Sequence, residues 1–213
     1  VIVDHPITTW SRDRWLAVGD TRRITLLRPW FEMLREGWPD RQGDERVADD
    51  LAGADPTRVQ AERSALYFDG GDFVCDRSTV FVTPDVLARN VGVTVKNADG
   101  LRDHLINRLG RNVVLLNNAP PHHAGMFMMT IGKNRVFVGD PSLAWSLLPN
   151  DIEMPVGPDR SNLTQAAFDE VAVQCAKAGY EVIGMPIVPG DDGRTYLTWL
   201  NVIIDGRMIR WST

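Results

Sequence analysis

Three stretches of the chain share one pattern of apolar and polar positions: a glycine or polar lead-in, an apolar strand, a short polar turn and a second apolar strand. They are Gly70–Pro84 (GGDFVCDRSTVFVTP), Gly125–Pro141 (GMFMMTIGKNRVFVGDP) and Thr195–Trp211 (TYLTWLNVIIDGRMIRW). Their turns, Asp76-Arg77-Ser78, Gly132-Lys133-Asn134 and Asp205-Gly206, carry the residues that β-hairpins favour. Thr9–Leu27 is a looser fourth copy with Gly19-Asp20 near its turn. Such spacing predicts an internal structural repeat.

Between the hairpins the apolar period changes to that of a helix. Over Asn162–Ala178, Leu163, Ala166, Ala167, Val171 and Cys175 recur at helical spacing, with Ser161 or Asn162 as N-cap and Gly179 as the stop. A buried strand, YEVIGMPIV, follows. Asp99–Gly110 is a shorter helix, capped by Asp99 and ended by Gly110, that leads into the strand NVVLLN. The repeating unit is therefore ββαβ. Arg28–Trp38 reads as a helix and Pro39–Pro56 as a charged, solvated connection. The fold class is α/β. Units of this kind can close around a pseudo-symmetry axis as propeller blades do, with the hairpin starts lining a central cleft.

Composition narrows the function classes. A chain of 213 residues predicts a single domain. Its 23 Lys and Arg against 28 Asp and Glu give a net charge of -5, and neither sign forms long blocks, so no nucleic-acid or membrane partner is expected. Cys75 and Cys175 stand a hundred residues apart without metal-ligand spacing, which predicts no metal site, no disulfide framework and a reducing compartment. No apolar run approaches the roughly 18 residues that span a bilayer, and the N-terminus lacks signal-peptide features, so the expected location is the cytoplasm. The chain opens inside an apparent strand without Met and stops just after another, as a fragment would.

Three polar clusters stand at the hairpin starts. In WSRDRW, Asp13 lies between Arg12 and Arg14, flanked by Trp10 and Trp15; a surface ion-pair cluster is the plainer reading. In YFDGGDFVCD, Asp69 and Asp72 bracket a glycine pair that lets a ligand approach the backbone, although Asp-Gly also serves ordinary turns. Cys75, on the same strand, reads as a buried apolar filler. His122 and His123 follow Pro120-Pro121, and in extended chain only one of the pair can enter a given cleft.

In this order the clusters resemble the guanidino-group-modifying superfamily: arginine, agmatine and peptidylarginine deiminases, dimethylarginine hydrolases and amidinotransferases. Its members carry an Arg-Asp dipeptide, a strand start of Glu-Gly-Gly followed by Asp or Asn, a His-x-Asp opening a hairpin, and a cysteine near the C-terminus. Arg12-Asp13 matches the first, Asp69-Gly70-Gly71-Asp72 the second with Asp for Glu, and the His122–Asp140 stretch the third, so the resemblance runs from about Trp10 to Trp211. It implies a five-bladed α/β propeller of ββαβ units (a pentein), here incomplete at its C-terminal end. It also implies hydrolysis of the guanidino group of arginine or an arginine derivative, small or peptidyl, through a cysteine-covalent intermediate, with no cofactor expected; the sequence leaves a homo-oligomer open. Carried over, Asp13 and Asp69 hold the guanidinium, Asp72 supports the loop, His122 is the acid/base, and Arg12, His123 and Ala124 line the substrate.

Two departures qualify this. The Asp of His-x-Asp is Ala124 counted from His122, or Gly125 counted from His123, and neither is acidic. The cysteine-bearing last unit has no counterpart, and Cys75 and Cys175 match no nucleophile position. The expectation is a truncated deiminase that does not turn over. A guanidino- or protein-binding degenerate propeller and an amidinotransferase remain the alternatives.

Overall fold

Two antiparallel strands, a helical crossover and a third strand parallel to the second recur three times in the computed structural model of the chain. The structure describes residues 2–19, 22–30, 41–148, 154–205 and 208–211. These form two compact units, Val1–Gly70 with Ala88–Leu101, and Gly71–Leu87 with Arg102–Thr213.

In the first unit β1 (Leu16–Gly19) runs antiparallel to β2 (Ile24–Arg28), with Leu16 opposite Leu27. A helix, α1 (Gln42–Ala54), carries the chain to β3 (Val59–Arg63), which lies parallel to β2 with Ile24 opposite Val59. This corrects the reading of Pro39–Pro56 as a solvated connection. The apolar stripe of α1 is thin, and one of its fully buried positions is an acid: Asp44 accepts hydrogen bonds from the Thr8 N–H (2.7 Å) and hydroxyl (2.6 Å). A Cβ on Gly43 would lie 1.6 Å from the Pro6 carbonyl oxygen, so this helical glycine is where the N-terminal segment crosses α1. Of the helix expected over Arg28–Trp38, Arg28 ends β2 and residues 31–40 lie outside the described residues.

The second unit holds the other two three-stranded sheets. β4 (Phe73–Cys75) and β5 (Thr79–Val82) form the expected hairpin, and β6 (Asn112–Leu115) returns parallel to β5 after α2 (Pro84–Asn90) and α3 (Ala98–Leu109). The Asn97 side chain, not Asp99, accepts the hydrogen bond at the start of α3, from the Gly100 N–H, while Gly110 ends it at φ 65° as expected. A short α4 (Ala124–Phe127) precedes β7 (Met128–Gly132), which pairs antiparallel with β8 (Arg135–Asp140) through a turn in which Gly132, Lys133 and Asn134 all have positive φ. After α5 (Pro141–Leu147) and α6 (Asn162–Lys177), β9 (Glu181–Pro186) returns parallel to β8. Ser161 caps α6 through the Thr164 N–H. The buried face of α6 is Phe168, Val171 and Cys175, whereas Leu163, expected in the stripe, is exposed.

Those residues meet Phe81, Phe127, Met128, Val138 and Ile187 in the core of this unit. Packing is tight enough that a Cβ on Gly139 would fall 2.8 Å from Phe168 Cε1. The long strand expected after Thr195 is broken: β10 (Val188–Pro189) pairs with β11 (Tyr196–Leu197), and only after a bend do β12 (Val202–Asp205) and β13 (Met208–Trp211) pair. Among the described residues no helix is long and apolar enough to cross a membrane.

One side chain ties the β4–β5 turn to the start of β9. Asp76 accepts hydrogen bonds from the Ser78 and Thr79 N–H groups (2.8 and 3.0 Å), the Ser78 hydroxyl (3.0 Å) and the Tyr180 hydroxyl (2.7 Å). Burial acts to raise its pKa, but these bonds to the carboxylate outweigh it and hold the pKa below the usual carboxylate value. Asp76→Ala should destabilise the fold by about 1–3 kcal/mol in urea unfolding. Because the folded pKa is depressed, the contribution is fully present above about pH 4, the unfolded value, and is lost as pH falls through the folded pKa. An Asp76→Ala loss that stays constant from pH 7 to pH 2 would contradict this account.

Candidate functional site

A single helical turn stands ahead of the first strand of each three-stranded sheet, and each of the three polar clusters lies in it or directly before it. Ser11–Arg14 precedes β1, Gly70–Asp72 precedes β4, and α4, with His123 as its N-cap, precedes β7. At each lead-in the chain makes a tight turn before extending, and in the third that turn takes Met126 and Phe127, which read as the start of the apolar strand.

In the first unit the Ser11–Arg14 turn points Arg14 fully into the interior. A buried guanidinium needs a carboxylate. Arg14 Nη1 donates to Asp69 Oδ1 at 3.1 Å, Arg89 Nη1 donates to Asp69 Oδ2 at 3.2 Å, and Arg41 Nη1 stands 4.0 Å from Oδ1. Arg41 Nη2 also lies 3.8 Å from Asp13 Oδ2 and donates to the Trp10 carbonyl at 3.1 Å. Asp13 and Asp69 thus share Arg41 as a neighbour, while Arg12 is exposed with its guanidinium 5.8 Å from the Trp15 ring centre.

The backbone is fixed to match. A Cβ on Gly70 would lie 2.8 Å from the Arg12 carbonyl oxygen and 2.9 Å from that of Trp15, so only glycine packs against this turn. The approach to Asp69 is held by the buried Asn90 side chain, which accepts from the Tyr67 N–H (2.9 Å) and donates to the Tyr67 carbonyl (2.7 Å). Sequence reasoning selected Asp13, Asp69 and Arg12 but missed Arg14, Arg41 and Arg89. Arg14 lay within the quoted WSRDRW; a long cation beside two tryptophans was the available signal.

In the second unit Asp72 is buried, and its carbonyl accepts from the Thr83 N–H at 3.1 Å. A Cβ on Gly71 would meet His123 Nδ1 at 2.4 Å, so the His123 ring rests on the second glycine of the pair. His122 has φ 98°, and its Nδ1 accepts the His123 backbone N–H at 2.8 Å. Its ring meets Tyr196 edge-on at 6.2 Å, and the Tyr196 hydroxyl donates to the Pro121 carbonyl at 2.7 Å. Ala124 is fully buried in the core cluster, whereas a Cβ on Gly125 would meet nothing within 4 Å. An aspartate therefore has room at 125, two residues after His123, and none at 124.

The cysteines differ in setting. Burial pushes the Cys175 thiol up to about 12, which keeps it protonated at neutral pH. Cys75, expected to be buried filler, is exposed at the end of β4, with Arg111 Nη1 4.0 Å from its sulfur.

No protein-family model matches the sequence, and no curated protein matches it. Solved structures do match in fold. The agmatine deiminase of C. jejuni with substrate bound superposes with a TM-score of 0.61 at 14% identity, covering 94% of this chain and 54% of that one. The agmatine deiminase of Enterococcus faecalis gives 0.58 at 17% identity, covering 83% and 49%. The chain shares its fold with agmatine deiminases. It spans about half the length of those enzymes.

The Asp69 geometry carries a direct expectation. Asp69→Ala leaves Arg14 buried without this carboxylate and should cost about 3–5 kcal/mol in urea unfolding. A loss under about 1 kcal/mol would mean that Asp69 is not needed to compensate Arg14.

Proposed function

We propose that the chain is part of a deiminase-type hydrolase that acts on the guanidino group of arginine or an arginine derivative. The supporting observation is positional. Arg12-Asp13, Asp69–Asp72 and the histidine pair stand in, or directly before, the helical turn that leads into each of three hairpins, in a fold shared with agmatine deiminases. On this reading the ββαβ units belong to an α/β propeller.

A guanidinium carbon is a weak electrophile because its charge is delocalised. Attack needs carboxylates that grip the planar cation, a proton donor for the departing amine and a strong nucleophile. Asp13 and Asp69 are the carboxylates of this reading, and the histidine pair holds the proton carrier. Asp69 already accepts from Arg14 and Arg89, so a substrate guanidinium there competes with the protein's own, and Asp13 bears more of the grip. Cys175 is buried and protonated, and neither it nor Cys75 matches the position near the C-terminus where the resemblance puts the nucleophile, so this reading takes its thiolate from outside this sequence. That requirement, with glycine at 125, also favours a second reading, a guanidino-binding propeller without turnover.

Calorimetric titration of the chain with agmatine, arginine and methylated arginine separates these. Weak binding of at least one is expected, reduced about tenfold or more by Asp13→Asn, with no ammonia or amine released. Absence of binding by all three would remove the guanidino reading. Ammonia release by the chain as it stands would overturn the exclusion of its cysteines, and release by a longer native chain, but not this one, would favour the hydrolase over the binding module.

A further inference from the structure

The adjacent histidines are usually interchangeable candidates in such a segment, yet here they sit in different environments. His123 has ordinary extended backbone, φ -63° and ψ 138°, and its ring lies against Gly71 where any side chain would collide with it. His122 has φ 98°, which costs an L-residue on the order of 1–3 kcal/mol and persists only where the surroundings over-determine it. Pro120 and Pro121 stiffen the approach, Tyr196 is anchored to the Pro121 carbonyl and packs on the His122 ring, and His122 Nδ1 accepts the His123 N–H.

We propose that His122 is a positioning residue, held neutral with its proton on Nε2, whose Nδ1 anchors the backbone of His123 and so seats the His123 ring over Gly71. The role of His123 as the proton carrier rests on the deiminase reading; the positioning relation does not.

The chemistry is one-directional. An imidazole nitrogen that accepts a hydrogen bond has no proton of its own, and in the imidazolium both nitrogens are donors. Protonating His122 therefore breaks its bond to the His123 N–H. The environment opposes that proton: burial first, then the charge of His123, lower the His122 pKa from its usual value; Asp85 opposes them, Arg194 lowers it further, and Asp192 opposes least. A histidine that resists protonation is poorly suited to deliver a proton and well suited to hold a neighbour. Gly125, not Ala124, then marks the open position two residues beyond the proton carrier.

Nuclear magnetic resonance of the whole chain tests this without requiring turnover. At pH 7 the long-range 1H–15N correlation of the His122 ring should show Nδ1 unprotonated and Nε2 protonated. As pH falls, the His123 amide resonance should move with His122 protonation, with a midpoint below about 6.5. His122→Gly, which keeps the backbone freedom, should lower the exchange protection of the His123 amide about tenfold and weaken the nuclear Overhauser contact between the His123 ring and Gly71 Hα. His122→Asn, which tolerates positive φ and retains a side-chain acceptor, should restore both. Gly71→Ala should displace the His123 ring while leaving the His122 tautomer unchanged.

A proton on His122 Nδ1 at pH 7, or His122→Gly with unchanged protection and contact, would overturn the proposal. Added agmatine separates the two layers. A shift of the His123 ring resonances exceeding that of His122 supports His123 as the proton carrier, and a larger direct shift at His122 overturns that assignment. If agmatine, arginine and methylated arginine all move neither ring while the tautomer and contacts hold, the deiminase reading fails and the positioning relation stands.

Discussion

A guanidinium with no access to water must be met by a carboxylate, and Arg14 is such a group. Much of the first unit's local geometry follows from that requirement. Asp69 has to reach Arg14, so the chain before it is pinned by Asn90, and the residue after it has to be glycine because it lies against the carbonyls of Arg12 and Trp15. Breaking one partner of such a pair costs more than the pair contributes to stability, because the remaining charge is left in a medium that cannot solvate it. The Arg-Asp-Arg segment and Asp69-Gly70 are therefore structurally coupled, whatever ligand they serve. This also limits the chemistry: Asp69 enters any guanidinium-binding role already engaged by the protein's own guanidinium groups.

Alternation and turn chemistry made the sheets legible in the sequence. The β4–β5 and β7–β8 hairpins, the stop glycines at 110 and 179 and the Ser161 cap follow from short-range rules that tertiary context did not override. The lead-ins were less legible because a single helical turn has no period to detect, so the turn at Gly70–Asp72 went unread and Met126 and Phe127 read as strand. The helix α1 was hidden for a different reason. Its sequence is dominated by charge, and Asp44 replaces an apolar side chain on the buried face; hydrophobic patterning cannot register a position whose burial is compensated by two hydrogen bonds from Thr8.

The candidate site divides along the same line. Residues marked by local peculiarity, the glycine pair and the paired histidines, could be found by reading. Arg41 and Arg89 could not, because each acts through a neighbour distant in sequence: Arg41 lies by Asp13 and Asp69, and Arg89 is twenty residues from Asp69. Ala124 was selected by counting from His122, and counting has no means to see that position 124 is core and position 125 is open.

The two glycines of Asp-Gly-Gly-Asp show how a repeated motif can carry separate constraints on adjacent atoms. Gly70 is required by backbone oxygens in the first unit, and Gly71 by an imidazole ring in the second. A substitution at 70 meets carbonyls fixed by the fold and has no inexpensive relaxation. At 71 it meets a side chain that can rotate away, so the fold survives while the histidine moves. The first glycine is therefore a requirement of folding and the second a requirement of where one ring sits, a distinction that identical residue types in adjacent positions conceal.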